Sequence, residues 1–209
     1  LWDYMIVTSR TYSKNELLSG SFPPKGTVHT IMADDVPLAA IVKRENYFMP
    51  LGYKANDARN ADSAVYYFTQ AVNYEPEDEE ANRMLGQAYL NKLSLDTAEL
   101  YFNKAIEIYP ENFSAWSNKG MVYMNRKQYD KAIELFKKAT TFKRNLTEAY
   151  YYEAICHFSM NDYAAAIAPL EAALKNNGQI PEVYYNLGIA YLNTGNYNKA
   201  EEALTGALN

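Results

Sequence analysis

Few side chains in this 209-residue sequence could do covalent or acid–base chemistry: one cysteine, Cys156, and two histidines, His29 and His157. Cys156 and His157 are neighbours, but neighbouring residues on a helix point about 100° apart, so they do not form a nucleophile–base dyad. Cys156 reads as a small buried hydrophobe, and His157 as the substitute for a core aromatic. His29 has no cysteine or serine beside it. Zinc-type Cys/His spacing is absent from the sequence, as is a glycine-rich phosphate loop. The carboxylates are spread out, as on solvated helix faces. No catalytic residue, metal ligand or cofactor site is assigned, and the chain does not read as an enzyme. The remaining chemistry is that of recognition: amides, aromatic rings, methionines and scattered charge.

Composition narrows the partner class. Nearly half of the residues are apolar, so a continuous core is available. A formal net charge of −5 argues against nucleic acid, which needs a cationic excess to displace counterions. No run approaches the ~20 apolar residues of a membrane helix, so direct membrane contact is not expected of these residues. One cysteine excludes an intrachain disulfide. The chain opens on Leu1 rather than Met, which suggests a processed or cut product with more sequence upstream.

These recognition groups are positioned by a repeat. Ala64, Ala98, Ala132, Ala166 and Ala200 recur every 34 residues. Four residues after each stands Phe68, Phe102, Phe136, Leu170 or Leu204, and three further on Ala71, Ala105, Ala139, Ala173 or Ala207. Those offsets place all three residues on one helix face. Twelve residues upstream come Gly52, Gly86, Gly120, Ala154 and Gly188, inside a second helical pattern. Glycine costs a helix interior about 1 kcal/mol against alanine, a cost that makes sense where two helices cross too closely for a side chain. Tyr89, Tyr123 and Tyr191 are then expected to fill gaps between helices. Pro76 and Pro110 end second helices, Pro181 starts a first helix, and Gly195-Asn196 and Asn161-Asp162 separate the two helices of their units.

With Trp116-x2-Lys119-Gly120-x2-Tyr123 followed by Ala132-x3-Phe136, and Tyr184-x2-Leu187-Gly188-x2-Tyr191 followed by Ala200-x3-Leu204, the chain resembles the tetratricopeptide repeat family. The resemblance implies an all-α, right-handed helical-repeat solenoid. It has five helix pairs, at residues 45–78, 79–112, 113–146, 147–180 and 181–209, the last truncated. Pro50 falls inside the first expected helix, which should therefore begin near it and be short. Residues 1–44 stand outside the repeat. Within them, 27–43 reads as a β-hairpin that caps the solenoid or belongs to a larger upstream domain.

The resemblance also implies that the first helix of each unit lines a concave binding face. Carried over, its exposed positions are Glu80, Arg83, Gln87, Leu90 and Asn91, then Ser114, Ser117, Met121, Met124 and Asn125. Units four and five contribute Glu148, Tyr151, Ile155, Phe158 and Ser159, then Glu182, Tyr185, Ile189, Leu192 and Asn193. Asn91, Asn125 and Asn193 share one place in three units. They either hold a peptide backbone through their amides or simply finish the helix. The groove is apolar towards its C-terminal end, which marks a contact surface unless those residues pack within the repeat. Met49, Ser117, Tyr151 and Tyr185 stand where a family clamp for a C-terminal carboxylate would want cations and amides, so that clamp is not expected.

Unit three concentrates Lys119, Arg126, Lys127, Lys131, Lys137, Lys138, Lys143 and Arg144, either as a docking stripe or as a solvated face. The expected function is a protein–protein interaction scaffold binding a peptide or partner protein on its concave face. Self-association through the uncapped C-terminal end is a further use of such a surface. The alternative is a soluble regulatory or positioning tail of a larger, membrane-anchored enzyme.

Overall fold

A computed structural model describes residues 45–176 and 180–208. The expected hairpin at 27–43 lies outside the described residues. Ten α-helices follow one another among the described residues: α1 (Glu45–Asp57), α2 (Ala61–Tyr74), α3 (Glu79–Asn91), α4 (Leu95–Ile108) and α5 (Phe113–Asn125), then α6 (Tyr129–Phe142), α7 (Thr147–Ser159), α8 (Tyr163–Asn176), α9 (Pro181–Asn193) and α10 (Tyr197–Gly206). Each odd-numbered helix packs on the even-numbered one after it, and each pair packs on the next. The chain is an all-α helical-repeat solenoid.

The small residues sit at the crossings. A Cβ built on Gly86 or Gly120 would lie 2.7 Å from the ring of Phe102 or Phe136, and one on Gly188 would lie 2.6 Å from Leu204. Ala64, Ala98, Ala132, Ala166 and Ala200 are fully buried, as are Phe68, Phe102, Phe136 and Leu170. A further register is visible only in the structure. Ala88, Val122, Cys156 and Ala190 occupy equivalent positions on α3, α5, α7 and α9, and all are fully buried. Cys156 is thus a core residue of the repeat.

First helices are the inner row. α3 buries seven residues where its partner α4 buries three, while in units three and four both helices bury four. α5 also touches both α3 and α7 directly, so first helices meet across unit boundaries along one wall.

Turn chemistry fixes the angle between the helices of a unit. Arg59, Leu93, Lys127, Asn161 and Gly195, again 34 residues apart, all have positive φ. Only the last is glycine, the residue that takes this conformation without steric cost. Asn60, Asp78 and Asn112 accept backbone N–H groups at the starts of α2, α3 and α5. Trp116 Nε1 and Asn82 Nδ2 donate to equivalent carbonyls, those of Pro110 and Pro76, and so tie each first helix to the turn before it.

The first helix differs from expectation. α1 starts at Glu45 and carries Pro50 inside it. Pro50 sits at the sixth position, where its missing N–H removes one hydrogen bond close to the helix start, and it is exposed.

Candidate partner-binding groove

Two cavities open along the wall of first helices. One, of about 410 Å³, is lined by Arg83, Gln87 and Leu90 of α3, Ser114, Ser117, Asn118 and Met121 of α5, and Lys143, Leu146, Glu148 and Tyr152. The other, of about 480 Å³, takes Lys143, Leu146, Glu148 and Tyr152 again, with Asn145, Thr147, Tyr151, Asn176, Ile180, Glu182 and Val183. Sharing four residues, the two make one groove along α3, α5, α7 and the start of α9.

Of the positions expected on the binding face, Arg83, Gln87, Leu90, Ser114, Ser117, Met121, Glu148, Tyr151 and Glu182 line this groove, although Leu90 and Ser117 are themselves buried. Met124, Ile155, Phe158 and Ile189 are half-buried and line neither cavity. Phe158 packs edge-on against Tyr163, with ring centroids 5.4 Å apart, and so belongs to its own unit. Tyr185 is exposed. Lys143, Leu146 and Tyr152 were not among the expected residues. The first two precede α7 in a turn, and periodicity along first helices cannot place a turn residue.

The shared asparagines are bonded within the protein. Asn125 and Asn193 donate to the Met121 and Ile189 carbonyls one turn back, at 2.8 and 2.9 Å. Asn91 Nδ2 donates to Asn56 Oδ1 at 3.1 Å, and Asn91 Oδ1 accepts from Gln87 Nε2. Ser159, at the same register, donates to the Ile155 carbonyl. These bonds finish the helix and leave the Asn125 and Asn193 Oδ1 atoms as acceptors.

Several unit-three cations are engaged by other side chains of the solenoid. Arg126 reaches Asp96 at 2.5 Å, pairs with Glu99, and stands 5.4 Å above the Tyr123 ring. Lys137 pairs with Glu153 on α7 at 3.6 Å. Lys138 covers Trp116 and Phe142, and Lys143 covers Phe113 at 4.5 Å. Burial alone would push Glu99 up, but hydrogen bonds from Tyr123 and Arg126 outweigh it and hold the carboxyl below its ordinary range. Tyr123 and Tyr191 each donate to a glutamate of the preceding second helix, Glu99 and Glu171.

At the only cysteine the chemistry is passive. Burial, with Glu153 nearby, pushes the Cys156 thiol up to about 12, so no thiolate forms near neutrality. Burial pushes His157 down, and its Nδ1 is buried without a hydrogen-bond partner. Asn112, the first residue of one N-x-S/T triplet, is buried and caps α5. No helix among the described residues is long and apolar enough to cross a membrane.

Comparison with known proteins returns the same architecture. Tetratricopeptide repeat family models match residues 51–113 and 101–134, and the model for anaphase-promoting complex, cyclosome, subunit 3 matches residues 125–207. No curated protein matches the sequence. Similar solved structures include a crystal structure of MamA, at 20% identity and TM-score 0.67, over 76% of this chain and 92% of that one. MamA 41-end from Desulfovibrio magneticus RS-1 superposes at 18% identity and TM-score 0.68, over 80% of this chain and 94% of that one. At such identities the likeness concerns the fold.

Proposed function

The chain is a tetratricopeptide repeat protein, and from that premise we propose that its inner wall receives an extended segment of a partner protein. Protein–protein scaffolding is the general use of this fold, and the groove supports the inner wall as its place on this chain. The observation that supports the reading is the meeting of α3, α5 and α7 along one wall, where two cavities run together. Rigid first helices present side chains there without the ordering cost a loop would bring to binding.

The test blocks the groove without touching the core. Ser114, half-buried on the wall, becomes Trp (S114W), while Leu100, exposed on second helix α4, becomes Ser (L100S) as control. Partners captured by the wild type and identified by mass spectrometry should be lost from S114W and kept by L100S. Capture kept by S114W and lost from L100S would move the binding face to the second helices.

A further inference from the structure

Resting on that reading, we propose that the C-terminal half of the groove accepts an arginine side chain of the partner segment, held between Glu148 and Glu182 and stacked on Tyr151. The argument comes from equivalent positions in the repeat. Glu80, Ser114, Glu148 and Glu182 occupy one register of the first helices, and Arg83, Ser117, Tyr151 and Tyr185 occupy another three residues on. In unit two the two registers neutralise each other. Arg83 Nε and Nη2 donate to the two Glu80 carboxylate oxygens at 2.9 and 2.6 Å. In units four and five the arginine is replaced by tyrosine, so the carboxylates keep their place and lose their cation.

Both are exposed, both line the 480 Å³ cavity, and neither has an ion-pair partner among the described residues. A first-turn glutamate also complements the helix dipole, which explains the carboxylates but not the tyrosines beside them.

The protein already builds such a site for itself. Arg126 lies between Asp96 and Glu99 and over the Tyr123 ring, a cation held by two carboxylates and an aromatic face. Glu148, Glu182 and Tyr151 offer the same three components around an open cavity. The one cation lining it, Lys143, stands over Phe113 instead. A guanidinium suits the site better than an ammonium, because its planar fork bonds a carboxylate in two places while stacking on a ring. Ile180 and Val183 supply apolar wall for the methylene stem.

Short fluorescein-labelled Gly/Ser peptides carrying two arginines are titrated by anisotropy against peptides carrying citrulline, the neutral isostere. The arginine peptide should bind at least about tenfold more tightly, roughly 1.4 kcal/mol. That preference should vanish in the double variant E148Q/E182Q and weaken with salt. Both changes lie on exposed side chains, and circular dichroism checks the fold. Arginine and citrulline peptides bound alike, and both lost from S114W, would refute the guanidinium site and leave the groove standing. Full binding to E148Q/E182Q, or none by the wild type, overturns the proposal. Arginine binding untouched by S114W and by E148Q/E182Q alike would remove the groove reading as well.

Discussion

The seam between units two and three and the groove wall of units four and five use the same residue types for opposite ends. At the seam, Arg126 joins Asp96, Glu99 and Tyr123, and the charges are consumed within the solenoid. On the groove wall, Glu148 and Glu182 stand with Tyr151, and neither carboxylate has an ion-pair partner among the described residues. The register of Glu148 and Glu182 itself serves cohesion in unit two, where Glu80 pairs with Arg83, and is left to contact in units four and five. The difference is set by whether the position three residues on holds arginine or tyrosine. A repeat fold makes such a comparison sharp, because backbone and register are nearly constant while side chains vary.

The largest effect that separates the two regions is on stability. Arg126→Ala strips the cation from a partly buried pair, and should cost roughly 1–2 kcal/mol, between the values for exposed and buried pairs. E148Q/E182Q should stay within about 0.5 kcal/mol of wild type, as exposed substitutions do. Urea melts decide it, and equal losses would make the groove carboxylates structural. The pH dependence has a definite sign. Glu99 titrates below its unfolded value in the native state, so its contribution is complete above the ordinary carboxylate range and falls away as pH drops through the depressed native value. The Arg126→Ala deficit should therefore shrink in acid.

How far the sequence could reach follows the same division. The spacing of Gly120, Ala132, Phe136 and Ala139 names the helix crossing outright, because each residue type is dictated by local volume. The register of Ala88, Val122, Cys156 and Ala190 was open to the same counting, and it explains Cys156 better than its own chemistry does. Pro50 misled because a proline rule judges only the backbone, whereas α1 passes through it on its exposed side. The groove was harder to see. Lys143 and Leu146 reach it from a turn, and Asn125 and Asn193 are bonded to carbonyls one turn back, neither of which a periodicity along first helices reveals.

Glu153 sharpens the comparison from within unit four. It occupies the register of Leu85, Lys119 and Leu187, is buried, and among the described residues pairs with the distant end of Lys137 alone. Burial pushes its carboxyl up against the pull of Lys137, so the native state holds this proton more tightly than the unfolded chain does. The sign is opposite to that of Glu99: this contribution is present at low pH and lost as pH rises through the raised native value. Glu153→Leu places there the leucine that units two and five carry and should stabilise by about 1 kcal/mol at neutral pH. Thermal melts across pH should show the gain fading in acid. A loss instead would mean that the Lys137 pair outweighs the desolvation of Glu153.

The smallest effect lies in the turns, where five equivalent positive-φ positions carry five different residues. Lys127 and Gly195 hold the same positive-φ position two units apart, and both are exposed. A non-glycine residue there pays a steric penalty that glycine avoids, partly offset by the freedom glycine gains in the unfolded chain. Lys127→Gly should therefore stabilise by roughly 0.5 kcal/mol, and Gly195→Ala should destabilise by about 1 kcal/mol. The two shifts should also be nearly additive, since the sites share no contact. If Gly195→Ala is silent while Lys127→Gly is costly, then Lys127 is held by contacts of its side chain, and unit three draws cohesion from its turn as well as from its seam.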